Sequence, residues 1–192
     1  MTIKLRNVRL SAYPALFTRP TFEGETQAKY GCKLLLDPDE HGEQIRELQQ
    51  AITALVNDKL DGQRLPSDKL CLRRGEDTGK AYHEGYWVLS ASTKNRPVVL
   101  DRRKNLVTED DQIIYPGCRV NAHISLWAQN NRYGKRINCE LEGIQHVGDD
   151  EPIEAGGGKS AKAIMEDFDA LDDGARGAAG NGADADDMFA IA

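Results

Sequence analysis

The sequence lacks the marks by which most enzymes, secreted proteins and membrane proteins are read. No apolar run approaches a membrane span, and Met1 to Leu10 interleaves Lys4, Arg6 and Arg9 with its apolar residues, so neither a signal peptide nor an anchor is expected and the cytoplasm is the expected location. Cys32, Cys71, Cys118 and Cys139 are widely spaced with no Cys-x-x-Cys pair, which fits reduced, buried thiols. A zinc site drawn from Cys118, His123, Cys139 and His146 would match no familiar spacing. No nucleophile-and-base set, dinucleotide fingerprint or internal repeat is present. Gly156-Gly157-Gly158-Lys159-Ser160 looks like the end of a phosphate-binding loop, yet Ile153 holds the place of its first glycine and no strand leads into it. Glu109, Asp110 and Asp111 are neighbours in one polar loop, whereas a magnesium site draws its carboxylates from separate strands. No cofactor, no metal and no catalysis are expected.

What is present is a division of charge. Residues 1 to 147 carry 22 Lys and Arg against 19 Asp and Glu, and residues 148 to 192 carry 3 against 12, so a body of +3 is joined to a tail of −9. The tail is Gly-rich and is expected to be disordered, and its final acidic residues, Asp184, Asp186 and Asp187, run straight into Met188, Phe189 and Ile191. Acid ahead of an apolar tip suits a polyanion mimic that also offers a partner a hydrophobic hook, so Asp186, Asp187, Met188 and Phe189 are candidate partner-binding residues. Ile164, Met165, Phe168 and Leu171 stand at helical spacing within it.

Residues 1 to 147 read as one mainly β domain. Strand patterns cover Lys4 to Leu10, Ala28 to Leu36, Trp87 to Thr93, Pro97 to Asp101, Arg119 to Gln129 and Arg136 to Val147. One amphipathic helix is inserted, with apolar Ile45, Leu48, Ile52, Leu55 and Val56; Asp37, Pro38 and Glu40 predict its capped start, and Gly62 follows its end. Largely antiparallel strands around one helix predict a small closed barrel.

The strand faces carry the functional signal. Alternation from Arg119 to Gln129 sends Val120, Ala122, Ile124, Leu126 and Ala128 to the core and puts Trp127 on the outer face, beside Arg136 and Asn138 of the next strand. Lys29, Gly31 and Lys33 likewise face outward, with Tyr30, Cys32, Leu34 and Leu36 inward. Arg73 and Arg74 precede a Gly-containing stretch expected to be flexible, Lys94 and Arg96 bracket a turn, and Tyr133 and Lys135 lie in the turn after Trp127. Cations follow phosphates and flat rings stack on unpaired bases, at about 1–3 kcal/mol per base. The candidate nucleic-acid-binding residues are therefore Lys29, Lys33, Arg73, Arg74, Lys94, Arg96, Arg119, Trp127, Tyr133, Lys135 and Arg136. His41 and His83 sit among polar residues, with nothing that marks them as catalytic.

The residues also resemble a family. Trp87 to Ser92 with Arg96-Pro97-Val98-Val99, Ile114 to Ala122, Gly134 to Ile137 and Ile144 to Asp149 are similar to phage and prophage single-stranded-DNA-binding proteins long catalogued as a domain of unknown function. Lys29-Tyr30, Leu34-Leu35-Leu36 and the helix after Pro38 extend the resemblance over about residues 2 to 152; Arg136 departs from it, standing where the family pattern has glycine. The resemblance implies an OB-fold, an antiparallel Greek-key barrel, that coats single-stranded DNA without sequence preference in phage replication or recombination, in the host cytoplasm. Asp186-Asp187-Met188-Phe189 is similar to the acidic, phenylalanine-bearing ends of replicative single-strand binders, which implies replication or recombination proteins as partners; three residues follow Phe189 here. Two rival readings are a metal-dependent nuclease on an OB-like body and a protein-interaction adaptor.

Overall fold

Among the described residues, seven strands and one α-helix form in the chain order β1 (Thr2–Leu10), β2 (Tyr30–Leu36), α1 (Pro38–Lys59), β3 (Leu72–Arg74), β4 (Trp87–Thr93), β5 (Val98–Leu100), β6 (Arg119–Asn131) and β7 (Gly134–Gly148). This computed structural model describes residues 2–20 and 28–153. The chain divides into two units, Met1–Gly157 and Gly158–Ala192, and every described residue belongs to the first. The glycine run, the 164–171 helical pattern and Asp186, Asp187, Met188 and Phe189 lie outside the described residues.

The sheet runs β3-β4-β2-β1-β6-β7-β5, and a parallel contact of Ser92 with Glu140 pairs β4 with β7. That contact closes β1, β2, β4, β7 and β6 into a ring of five, the strand arrangement of the OB-fold, with β3 and β5 added at its flanks. Inward alternation fills the ring: Leu5, Leu10, Leu34, Leu36, Leu89, Ile124 and Ile137 are fully buried. Helix α1 lays Ile45, Leu48, Ala51 and Ile52 on this core. At Gly31 strands β2 and β4 leave no room for a side chain, since a Cβ there would lie 2.6 Å from the Ala91 carbonyl oxygen. All four cysteines are buried and free, and burial pushes the Cys32 and Cys71 thiols up to about 12.

Three local features depart from the sequence reading. Asp37 caps α1 as expected, accepting from the Asp39 N–H at 2.8 Å, but Glu40 does not complete a capping box. The His41 ring takes that place, accepting the Asp37 N–H through Nδ1 at 3.0 Å and bonding the Asn7 carbonyl through Nε2 at 3.0 Å. Asn7 can be reached because β1 bulges there, with Asn7 at φ 55° and the register with β6 shifting between Leu5 and Val8. Strand β7 bulges too: His123 faces Gly143 and Ile124 faces Leu141, so Glu142 is the extra residue. Finally, His41 and His83, read in sequence as sitting among polar residues, are buried at 3% and 0% exposure, each ring with polar partners at both nitrogens.

Candidate nucleic-acid interface

Strands β2, β3 and β4 build one half of the site. Lys33 of β2 lies directly across from Ser90 of β4, and Arg73 of β3 lies across from Val88, two residues along β4 and on the same face. The third cation, Lys80, comes from the segment joining β3 to β4. That segment, expected to be flexible, is instead folded into 3₁₀ turns at Gly75–Thr78 and Ala81–His83. Its closure is specific: Gly75 N–H bonds the Tyr86 carbonyl at 2.7 Å, Gly85 N–H bonds Glu76 at 3.2 Å, and a Cβ on Gly75 would collide with the His83 carbonyl oxygen 1.7 Å away. His83 anchors it from beneath, with Nε2 2.8 Å from Ser11 Oγ and Nδ1 2.6 Å from Thr78 Oγ1.

These cations repel one another. The Lys33 ammonium is held below the usual lysine range, first by burial and then by Arg73 and Lys80. Burial, followed by Lys33, Lys80 and Arg73, pushes His83 down to about 4. Among the described residues no carboxylate pairs with Lys33, Arg73 or Lys80. A like-charge cluster without counter-ions is unfavourable for the free protein and ready for an anion.

The β6–β7 hairpin supplies the other half. Trp127 stands opposite Asn138 and is 42% exposed, and Gln129 stands opposite Arg136. At the hairpin tip Tyr133 is 76% exposed, with the Arg132 guanidinium 4.7 Å over its ring. Lys135 Nζ is 3.7 Å from the Asp61 carboxylate. The halves meet where β4 touches β7: Thr93 Oγ1 donates to Glu140 at 2.8 Å, and a groove of about 200 Å³ holds Arg73, Ser90, Ser92, Arg136 and Asn138 in its walls.

A third cluster edges the loop between β1 and β2. Arg19 lies 4.9 Å over Tyr30 and donates to the Lys94 carbonyl at 2.6 Å, and Arg96 lies 5.7 Å over Phe17. Exposed Lys29 and Lys94 complete it. Arg74 is farther out, 5.2 Å over the ring of Trp87, which packs partly buried against the core. Lys80, Phe17, Arg19 and Arg132 thus join the candidates; the signal available for each in sequence is a cation or ring within a loop, which composition alone does not separate from a solvated turn.

Arg119 is placed differently. It lies at the start of β6, eight residues from Trp127, and its guanidinium is 2.7 Å from Glu40 and 2.5 Å from Asp150, with a further bond to the Asn7 carbonyl at 3.2 Å. Burial works against the Arg119 charge, but Asp150 and Glu40 outweigh it and raise the pKa. Asp150 in turn stays below the usual carboxylate range despite its burial, through the Glu151 N–H and Arg119. The chain just after β7 is therefore hydrogen-bonded to the barrel, as is the Ile153 N–H to the Pro116 carbonyl at 2.9 Å. Among the described residues no three His, Cys, Asp or Glu side chains gather where they would hold a metal ion; the His123 ring turns outward to Glu142 at 2.5 Å, away from buried Cys118 and Cys139. No described helix is long and apolar enough to cross a membrane.

The family described as Enterobacter phage Enc34, ssDNA-binding protein, matches residues 1–176. Protein p50 of Acyrthosiphon pisum secondary endosymbiont phage 1 is 32% identical over 180 residues, 89% of this chain and 94% of that protein. Among solved structures, a C-terminal truncation of the single-stranded DNA-binding protein from bacteriophage Enc34 superposes with a TM-score of 0.70 at 33% identity, covering 79% of this chain and 88% of that one. The same phage protein in complex with ssDNA gives 0.67 at 34% identity, covering 80% and 89%. The chain belongs to the Enc34 family of phage ssDNA-binding proteins.

Proposed function

We propose that this member of the Enc34 family binds single-stranded DNA without regard to sequence and protects it in phage replication or recombination, without altering it chemically. The observation that carries the reading is the set of cations with no carboxylate partner among the described residues, Lys33, Arg73 and Lys80, on the barrel face that ends in exposed Trp127 and Tyr133. OB-folds present oligonucleotide sites on their second and third barrel strands and on the loops joining strands 1 to 2 and 4 to 5. In this chain those are β2, β4, the segment around Phe17 and Arg19, and the hairpin tip at Tyr133. Lys29, Lys33, Arg73, Arg74, Lys94, Arg96, Lys135 and Arg136 would follow phosphates, while Trp127 and Tyr133 would stack on bases. Arg119, neutralised by Glu40 and Asp150, is given a structural role in this reading.

The acidic end of the chain extends the proposal. Asp186, Asp187, Met188 and Phe189 would recruit replication or recombination proteins to coated DNA, and the charge of −9 over residues 148–192 would oppose DNA binding electrostatically. Titration of labelled oligo-dT, duplex DNA and RNA at two salt concentrations tests the core of the reading. Single-stranded DNA should quench tryptophan fluorescence and bind with a logarithmic salt slope of about −0.7 per phosphate neutralised, and duplex should bind poorly because its bases are hidden. Equal affinity for duplex and single strand would overturn it.

A further inference from the structure

The groove between β4 and β7 contains an unsatisfied donor set. Arg73 Nε and Ser90 Oγ are both buried and have no hydrogen-bond partner among the described residues. Both lie in the walls of the groove, and so does Arg136, contributed by β7. Buried polar atoms are seldom left unmade in a folded protein, and those that are call for a functional explanation. Here the unmade groups share one character: a guanidinium N–H and a hydroxyl can each donate, and a second arginine, Arg136, lines the same groove. The one carboxylate on the wall, Asp68, is already 3.2 Å from Lys69.

The matching ligand has acceptors only, carries negative charge and is small enough for about 200 Å³. A phosphodiester fits those terms; a nucleobase edge, which mixes donors with acceptors, does not. The position is apt as well. The groove lies where β4 meets β7, between the Lys33 side of the face and the hairpin bearing Trp127, so a strand passing from one half to the other must cross it.

We propose that this groove is a phosphate subsite in which Arg73 and Arg136 grip one phosphodiester from two sides and Ser90 donates its hydroxyl to the same group. The proposal rests on single-stranded DNA being the ligand, and it specifies where a backbone phosphate is fixed. Shared grip has a measurable signature. Each phosphate neutralised on a single strand contributes about 0.7 to the salt slope, so Arg73→Gln, Arg136→Gln and the double variant should each lose about 0.7. Two independent phosphates would instead take about 1.4 from the double variant.

Ser90→Ala separates binding from folding. The hydroxyl has no partner to lose among the described residues, so the melting temperature should hold or rise while affinity for oligo-dT falls about tenfold. The experiment titrates oligo-dT into the full-length wild type, these four variants and Trp127→Ala across a salt series, with melting curves alongside. Binding by the wild type that weakens in Trp127→Ala but keeps its affinity and slope in the Ser90 and arginine variants would overturn the subsite and leave the wider reading standing. An additive loss of about 1.4 in the double variant would overturn the shared phosphate. A Ser90→Ala protein whose melting temperature falls would assign the hydroxyl to folding. A wild type that binds no oligo-dT would end both ideas together.

Discussion

The two ends of β6 present arginine chemistry with opposite settings. At its start, Arg119 is enclosed by Glu40 and Asp150, and Arg9 lies 4.0 Å from the same Asp150 carboxylate. Toward its other end, Trp127 is exposed beside Asn138, and the face it belongs to carries Lys33, Arg73 and Lys80 without a carboxylate partner among the described residues. A sequence count gives every one of these cations equal weight, and the body's excess of three over its acids conceals where the excess resides. What distinguishes them is neutralisation. Ion-paired arginines hold strands and helix together, whereas uncompensated ones create a field that only a ligand relieves.

The strongest test of that contrast is at Trp127. Trp127→Ala should weaken oligo-dT binding by about 1–3 kcal/mol and abolish most of the fluorescence quench, with little change in melting temperature because the ring lies outside the core. A folded Trp127→Ala protein with wild-type affinity would remove stacking from the interface.

Arg119→Ala should give the inverse pattern, losing about 1–2 kcal/mol of stability because Glu40, Asp150 and the Asn7 carbonyl lose a charged donor, with DNA affinity kept within about twofold. Lys33→Gln supplies the counterpart: it removes a like charge and should not lower the melting temperature, while the salt slope falls by about 0.7. Should Arg119→Ala weaken binding as strongly as Lys33→Gln, the division between paired and unpaired cations would fail.

The same contrast explains what the sequence made legible. Alternation placed Trp127 outward and Val120, Ile124 and Leu126 inward, because strand periodicity is local and each residue reports its own face. The ring closure, the partners of Arg119 and the cluster around Lys33 are not local. Glu40 and Asp150 stand 79 and 31 residues from Arg119, and no spacing rule joins them. Strand β3 has three residues, too few for a period to register. The bulge at Glu142 shifts the phase of β7 between Leu141 and Ile144, a break that an apolar pattern read straight through. His83 is the clearest case: its neighbours in sequence are polar, yet the 75–86 segment folds over it and removes it from water.

That burial yields a pH test of the segment carrying Lys80. With its pKa pushed from 6.5 to about 4, folded His83 binds fewer protons than the unfolded chain throughout that interval. Its contribution to stability is complete above about pH 6.5 and declines as the pH falls toward about 4. Melting temperatures measured across this window should therefore drop on acidification in the wild type and drop less in His83→Gln, which has no ring to protonate. Parallel curves for the two proteins would mean that His83 is accessible and that Lys80 is not fixed beside Lys33 through it.

The smallest effect concerns charge that lies outside the described residues. Residues 158 to 192 carry Lys159, Lys162 and Arg176 against eight acidic residues, so their removal takes away a net −5 while leaving the hydrogen-bonded 149–153 segment and its Asp150–Arg119 pair in place. If that charge opposes DNA at the unpaired cations, truncation after Gly157 should tighten oligo-dT binding at low salt. The gain should fade as the Debye length contracts from about 30 Å at 0.01 M to about 3 Å at 1 M. Phe189→Ala in the full chain keeps all the charge, so it should leave DNA affinity unchanged while weakening capture of replication proteins. Two measurements thus divide the tail's proposed duties: salt-dependent tightening on truncation reports the field, and partner capture by Phe189→Ala reports the hook. A truncated protein with wild-type affinity at 0.01 M salt would show that the cationic face does not feel the tail, and the comparison between paired and unpaired cations would then be confined to the barrel.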